Sequence, residues 1–244
     1  MEATEPRRFF VVHLQKSAGT TLRDRFRATF SAEAIYPNKS DGVVGHSVIS
    51  LSNLLERWKA RRDELRLIAG HFPLSTVELL DADFVTLSIL RPPVERTLSY
   101  LRHQKMLNPA DRDRSLEEIY DDPFRFTGLI RNHMTRMFSI GADEMASGDG
   151  VLTDVPDTPA RLERAKEGIA GLHGFGLQPC FEEFWDDFAP RYGLELGEPV
   201  HSNRTEPDDG LTEALIARIT EDNAADLELY DFAARLYYQR RAAR

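Results

Sequence analysis

Residues 9–14 form an apolar run, Phe9-Phe10-Val11-Val12-His13-Leu14, with the length and β-branched content of a buried strand. Just beyond it, Leu22, Phe26 and Phe30 recur every fourth residue, the spacing of one helix face. The pattern predicts a strand that hands over to a helix across residues 17–21. A second apolar run, at 84–90, stops at Arg91-Pro92-Pro93, and proline in the first turn suits a helix reaching about Met106. Leu67-Ile68-Ala69, ending at Gly70-His71, and Phe175-Gly176-Leu177 read as two shorter strands.

The remaining pattern is mostly helical. A Ser/Asn/Gly-rich stretch at 40–52 precedes a charged helix carrying Leu54, Leu55, Trp58 and Leu65. Ser115-Leu116-Glu117-Glu118 has the form of a capping box, and Thr158-Pro159 that of a cap on a helix to about Leu172. Residues 139–157, rich in Gly and Asp, are expected to form an exposed and mobile loop. Phe181, Phe184, Trp185, Phe188 and Tyr192 make an aromatic stripe suited to the core, with Pro190 ending or bending that helix. Two helices close the chain, one with Leu211, Leu215, Ile216 and Ile219, the other with Tyr230, Ala233, Leu236 and Tyr237. Strands alternating with helices predict an α/β fold: one P-loop-like domain over residues 1–244, with a central, mainly parallel sheet flanked by helices on both faces.

Composition narrows the function. The 244 residues are 41% hydrophobic, enough for a sizeable core in one large domain. A net charge of −9 argues against broad nucleic-acid binding and against attachment to anionic membranes, so any anionic ligand needs a local basic pocket. The single cysteine, Cys180, excludes an internal disulfide and a cysteine-rich metal site, and it reads as a small buried hydrophobe. No apolar stretch approaches the ~20 residues of a membrane span, and the first residues lack the regions of a signal peptide, so a cytoplasmic setting is expected. Nothing in the sequence indicates an oligomeric state.

Both strong strand-to-helix junctions carry a cation. At the first, Lys16-Ser17-Ala18-Gly19-Thr20-Thr21 combines a full positive charge, small residues that let backbone N–H groups approach an anion, and the positive end of a helix. Alone, that junction fits an empty strand-turn-helix equally well. It is not a Walker A loop, because Lys16 opens the loop instead of closing it. At the second, Arg91 leaves its strand at the carboxyl edge and Ser99 follows on the next helix, so a guanidinium fork and a hydroxyl can converge on one phosphate monoester. An arginine before two prolines also suits a simple cap or ion pair.

Together these residues resemble a known family. Gln15-Lys16-Ser17-Ala18-Gly19-Thr20-Thr21-Leu22 is similar to the 5′-phosphosulfate loop of sulfotransferases, in the glycan-type, 2-O-sulfotransferase-like branch. Arg91-Pro92-Pro93-Val94-Glu95-Arg96-Thr97-Leu98-Ser99-Tyr100 resembles the family's 3′-phosphate motif, Gly70-His71-Phe72 its Gly-His step, and Asn223, Asp226, Leu229 and Tyr230 its C-terminal helix. Gln15 and Pro92 depart from the usual proline and aspartate, at positions that do not hold phosphate in the pattern.

The resemblance implies an enzyme that takes 3′-phosphoadenosine 5′-phosphosulfate as donor, without a metal, and transfers its sulfuryl group to a hydroxyl. Lys16, Ser17, Ala18, Gly19, Thr20 and Thr21 would hold the 5′-phosphate side and Arg91 and Ser99 the 3′-phosphate, with Lys16 also stabilising the leaving phosphate. His71 is the expected base, against the alternative of a strand-end cap, while His13 within the first strand is expected in the core. Asn132-His133-Met134-Thr135-Arg136 resembles a segment lining the acceptor side, although Arg131 and Arg136 themselves read as solvated surface residues. His201-Ser202-Asn203-Arg204 is expected to cover the donor's 3′ side. The expected acceptor is a small metabolite, lipid or saccharide. A P-loop kinase and a non-catalytic nucleotide-binding module are the rival readings.

Overall fold

Every residue of strand β1 (Phe9–Val11) is buried, which explains an unbroken apolar run, since a strand covered on both faces does not alternate. A computed structural model describes residues 7–42, 48–146, 152–198 and 210–243. Its five strands are β1, β2 (Ile35–Tyr36), β3 (Leu67–Ile68), β4 (Val85–Leu90) and β5 (Gly174–Leu177), in the order β2-β3-β1-β4-β5. All four pairings are parallel, with Phe9 opposite Leu67 on one side of β1 and opposite Val85 on the other. The fold is α/β, and the sheet is parallel throughout. Strand β2 has two residues only and left no mark in the hydropathy pattern.

This order makes β1 a branch point. The chain goes from β1 to β2 and β3 on one side, then to β4 and β5 on the other, so the loops leaving β1 and β4 diverge at the carboxyl edge. Such a switch point leaves a crevice where ligands bind in open α/β sheets.

Helix Gly19–Phe26 buries Leu22 and Phe26, and the Phe26 ring lies 5.1 Å from Phe9 and 5.3 Å from Trp185. The aromatic stripe is core: Phe181, Phe184, Trp185 and Phe188 are buried, and their helix ends at Phe188, passing into a 3₁₀ turn, Ala189–Tyr192, around Pro190. Helix Pro93–Leu107 follows β4 with proline in its first turn. Both expected caps are present, the Ser115 and Glu118 box and Thr158 on Arg161.

Residues 139–157 depart from expectation. Ile140, Met145 and Val155 form a small buried cluster, helix Ala142–Ala146 lies within the segment, and Glu144 pairs with Arg161 at 2.5 Å. Three spaced apolar side chains anchor what Gly/Asp content alone marks as an exposed loop; residues 147–151 lie outside the described residues. Cys180 is half-buried, its Sγ 3.7 Å from Tyr238 Oη, because it sits on a short 3₁₀ turn after β5 rather than within the sheet. Among the described residues no helix is long and apolar enough to cross a membrane.

Candidate active site

A cleft of about 1080 Å³ opens at the carboxyl edge, lined by Lys16, Ala18, Gly19, Thr20 and Thr21 after β1, His71 after β3, and Arg91 and Ser99 after β4. The structure thus brings together all but one of the residues expected to hold the donor or act as base. The exception is Ser17, 1% exposed and outside the lining, whose Oγ has no hydrogen-bond partner among the described residues.

The loop after β1 is strained. Lys16 and Ala18 adopt left-handed backbone at φ 65° and 63°, which costs a non-glycine residue about 1–2 kcal/mol. Turns of this kind aim successive N–H groups into an anion-binding concavity. The N–H groups of Gly19, Thr20 and Thr21 open helix Gly19–Phe26 and have no acceptor within it. Strain that secondary structure does not require is an outlier of the kind that clusters at functional sites.

Two cations face the same space. Arg91 Nη1 donates to the Lys16 carbonyl at 3.2 Å, joining the two junctions, and Arg91 Nε lies 3.6 Å from the exposed Glu95 carboxylate. Burial lowers the Lys16 ammonium pKa, and the positive charge of Arg91 lowers it further. An anion between them would relieve both effects, whereas the ion pair with Glu95 satisfies only the outer side of Arg91. Arg96, in the first turn of helix Pro93–Leu107, is not part of the lining: it is fully buried, donates to the Leu129 carbonyl at 2.7 Å, and burial pushes it down to about 10.

His71 Nδ1 lies 2.8 Å from the His13 carbonyl oxygen. A carbonyl only accepts, so Nδ1 carries the proton and Nε2 keeps a lone pair. Burial, reinforced by Arg23 and Arg96 against the opposing hydrogen bond, pushes the His71 pKa down to about 4, and the ring is neutral at physiological pH. Neutrality with an oriented lone pair meets one requirement of a general base, while a pKa of about 4 lies below the near-neutral value at which a base is most effective.

His13 is not a core residue. Its ring is half-buried on the cleft wall, 4.3 Å from the His71 ring, with Nδ1 3.2 Å from the Ala69 carbonyl. The reason is that β1 stops at Val11, so His13 lies past the ladder. Its pKa is held well below the ordinary value, first by burial and then by His71. Gly19 is required beside it: a Cβ there would overlap the His13 ring.

The segment expected on the acceptor side is internal instead. Asn132 N–H donates to Asn223 Oδ1 at 3.0 Å, and Asn132 Oδ1 accepts from the N–H groups of Ala225 and Asp226 at 3.1 and 3.2 Å. The buried Asp226 carboxylate accepts from Met134 N–H, Thr135 N–H and Thr135 Oγ1 at 2.9, 2.7 and 2.8 Å. Helix His133–Ser139 is therefore locked onto helix Ala224–Ala242, and His133 is fully buried. Arg136, expected at the surface, is 1% exposed and donates to the Thr127 and Gly128 carbonyls. Those carbonyls belong to a π-helical turn, Phe126–Ile130, whose irregular backbone needs an internal donor. Arg131 does reach the surface, paired with Asp154 and Asp157 at 3.5 and 3.1 Å. The loop containing His201 to Arg204 lies outside the described residues.

Several lining residues were not singled out from the sequence, among them His103, Leu107, Phe124 and Glu183. His103 was findable, since it follows Ser99 by four residues on one helix face. Burial and Lys16 lower its pKa as well. No protein-family model matches the chain, and no curated protein is significantly similar to it.

Proposed function

We propose that the protein is a sulfotransferase that moves the sulfuryl group of 3′-phosphoadenosine 5′-phosphosulfate to an acceptor hydroxyl. The carrying observation is one cleft in which Lys16 and Arg91, two cations from different strand ends, share space with a neutral His71. The first two suit a ligand with two phosphate-like groups, and the third suits a reaction that begins by removing a proton. The family-like motifs around the same residues agree with that reading.

When donor is bound, the S–O bond to its 5′-phosphate breaks as the acceptor O–S bond forms, and the electron pair leaves on the phosphate. Lys16 and the N–H groups of Gly19, Thr20 and Thr21 neutralise charge growing on that phosphate, stabilisation realised most fully in the transition state. Arg91 and Ser99 hold the 3′-phosphate and set the register of the nucleotide. His71 Nε2 takes the hydroxyl proton, while Nδ1–H keeps the ring aimed by its bond to the His13 carbonyl. A cytoplasmic setting is part of the proposal and comes from composition.

The test is transfer of radiolabelled sulfate from the donor into a mixture of hydroxyl compounds. Label should move with the wild-type protein and fall by roughly 10²–10³ in Lys16→Ala, the effect of deleting one stabilising donor. Absence of transfer by the wild type, or equal transfer by the variant, would sink the reading.

A further inference from the structure

We infer that the acceptor is an uncharged alcohol with an apolar body, an inference that rests on the sulfuryl-transfer reading. The cleft, at about 1080 Å³, exceeds the ~300–1,000 Å³ of a site for one small ligand. It has room for a nucleotide and a second molecule.

Its lining divides by chemistry. Val48, Ile49, Leu107, Phe124, Leu129 and Leu152 contribute apolar side chains to the same cleft as His71. Val48 lies beside the base, its carbonyl accepting from His71 N–H at 2.6 Å. Leu152 packs on the turn that carries Leu129, since its Cδ2 would stand 3.1 Å from a Cβ at Gly128. That turn is tied in its turn to helix Pro93–Leu107 through Arg96 on the Leu129 carbonyl. The apolar wall is thus anchored both at the base and at the helix bearing Ser99 and Leu107.

Charge excludes the other acceptor classes. Among the described lining residues the lysine and arginine are Lys16 and Arg91, both committed to the donor, and the carboxylates are Glu182 and Glu183. An anionic saccharide would bring negative charge to a wall with no lysine or arginine of the described lining left to receive it, in a cleft that also holds Glu183 and the Arg25-paired Glu182. A neutral sugar would pair some hydroxyls with Gln15, Gln104, Gln178 or His103 of the same lining but would set others against six aliphatic or aromatic side chains. Leu107 and Phe124, each 62% exposed, and their neighbour Met106, 69% exposed, leave apolar surface at this wall that an apolar ligand would cover. An alcohol with an apolar body satisfies the wall and presents its hydroxyl to His71 for the step already described.

The experiment compares 1-decanol, methyl glucoside and a sulfated disaccharide as acceptors, with parallel calorimetry of decanol and of adenosine 3′,5′-bisphosphate. Decyl sulfate should be the preferred product. Leu107→Glu and Phe124→Glu, at exposed positions that leave the core intact, should each weaken decanol binding and raise its KM by about tenfold, with nucleotide affinity unchanged. Preference for either sugar, or decanol binding that both variants leave unaltered, overturns the inference while nucleotide binding upholds the donor reading. If nucleotide fails to bind, the donor reading falls, and decanol calorimetry with the two variants still decides whether the wall is an apolar binding site.

Discussion

Two polar segments stand out in this chain, the loop of residues 16–21 and the segment 132–136 with its partners Asn223 and Asp226, and the structure treats them oppositely. In the second, the amides and the carboxylate find partners: Asn132 N–H donates to Asn223 Oδ1, Asn132 Oδ1 accepts from the N–H groups of Ala225 and Asp226, and Asp226 takes three donors, while the buried ring nitrogens of His133 have no partner among the described residues. In the first, two residues hold left-handed backbone, Ser17 Oγ lacks a partner, and two cations approach each other. Polar groups satisfied within the protein build the fold. Strained backbone and two neighbouring cations at a cleft are the features on which the proposed anion site rests.

This contrast breaks if removing a polar or charged side chain of the loop, such as that of Lys16, harms stability, or if a lock substitution spares it. His71→Ala should show the largest effect, lowering turnover by roughly 10²–10⁴ while nucleotide affinity is retained; near wild-type turnover would make His71 structural. Asp226→Ala should lower stability by about 3–5 kcal/mol in urea unfolding, because it removes the buried carboxylate whose charge favours the cationic Arg96 and Arg136 and which accepts three hydrogen bonds. Gly19→Ala should destabilise by about 1–3 kcal/mol through overlap with the His13 ring and should also slow transfer by displacing His71; an unchanged melting temperature would show that the ring can move aside freely.

A pH dependence sharpens the comparison further. His71 titrates near 4 in the folded chain against 6.5 ordinarily, so between those values the unfolded chain binds the proton that the folded one refuses. Stability should therefore fall as pH drops from about 6.5 to about 4 and be flat above that window. His13 and His133 are depressed in the same direction and steepen the fall. Thermal melts across pH check this, and the slope should be shallower in His71→Ala.

Much of this was legible beforehand where local chemistry decides the outcome. The strands at 9–14, 67–69, 84–90 and 175–177 were visible because burial on both faces leaves a continuous apolar signature, and Ser115 and Thr158 were visible because a cap is a local bond. Lys16, His71, Arg91 and Ser99 could be grouped because the parallel sheet gathers strand ends at one edge. Legibility failed where a residue's fate is fixed by distant partners. Arg136 became internal through carbonyls of a π-helical turn, and Asn132 through a helix about ninety residues later. His13 was misplaced by the two residues between the end of the apolar run and the end of the ladder. The apolar wall is assembled from six residues scattered between Val48 and Leu152, with no shared period to reveal it.

The central claim is that the cleft grips one nucleotide at both phosphates, through Lys16 at one junction and Arg91 at the other. Calorimetric titration with adenosine 3′,5′-bisphosphate tests it directly. One site per chain is predicted, weakened about tenfold or more in Lys16→Ala and in Arg91→Ala, as the loss of a charged hydrogen bond requires. No binding to the wild type, or equal binding to all three proteins, would contradict it.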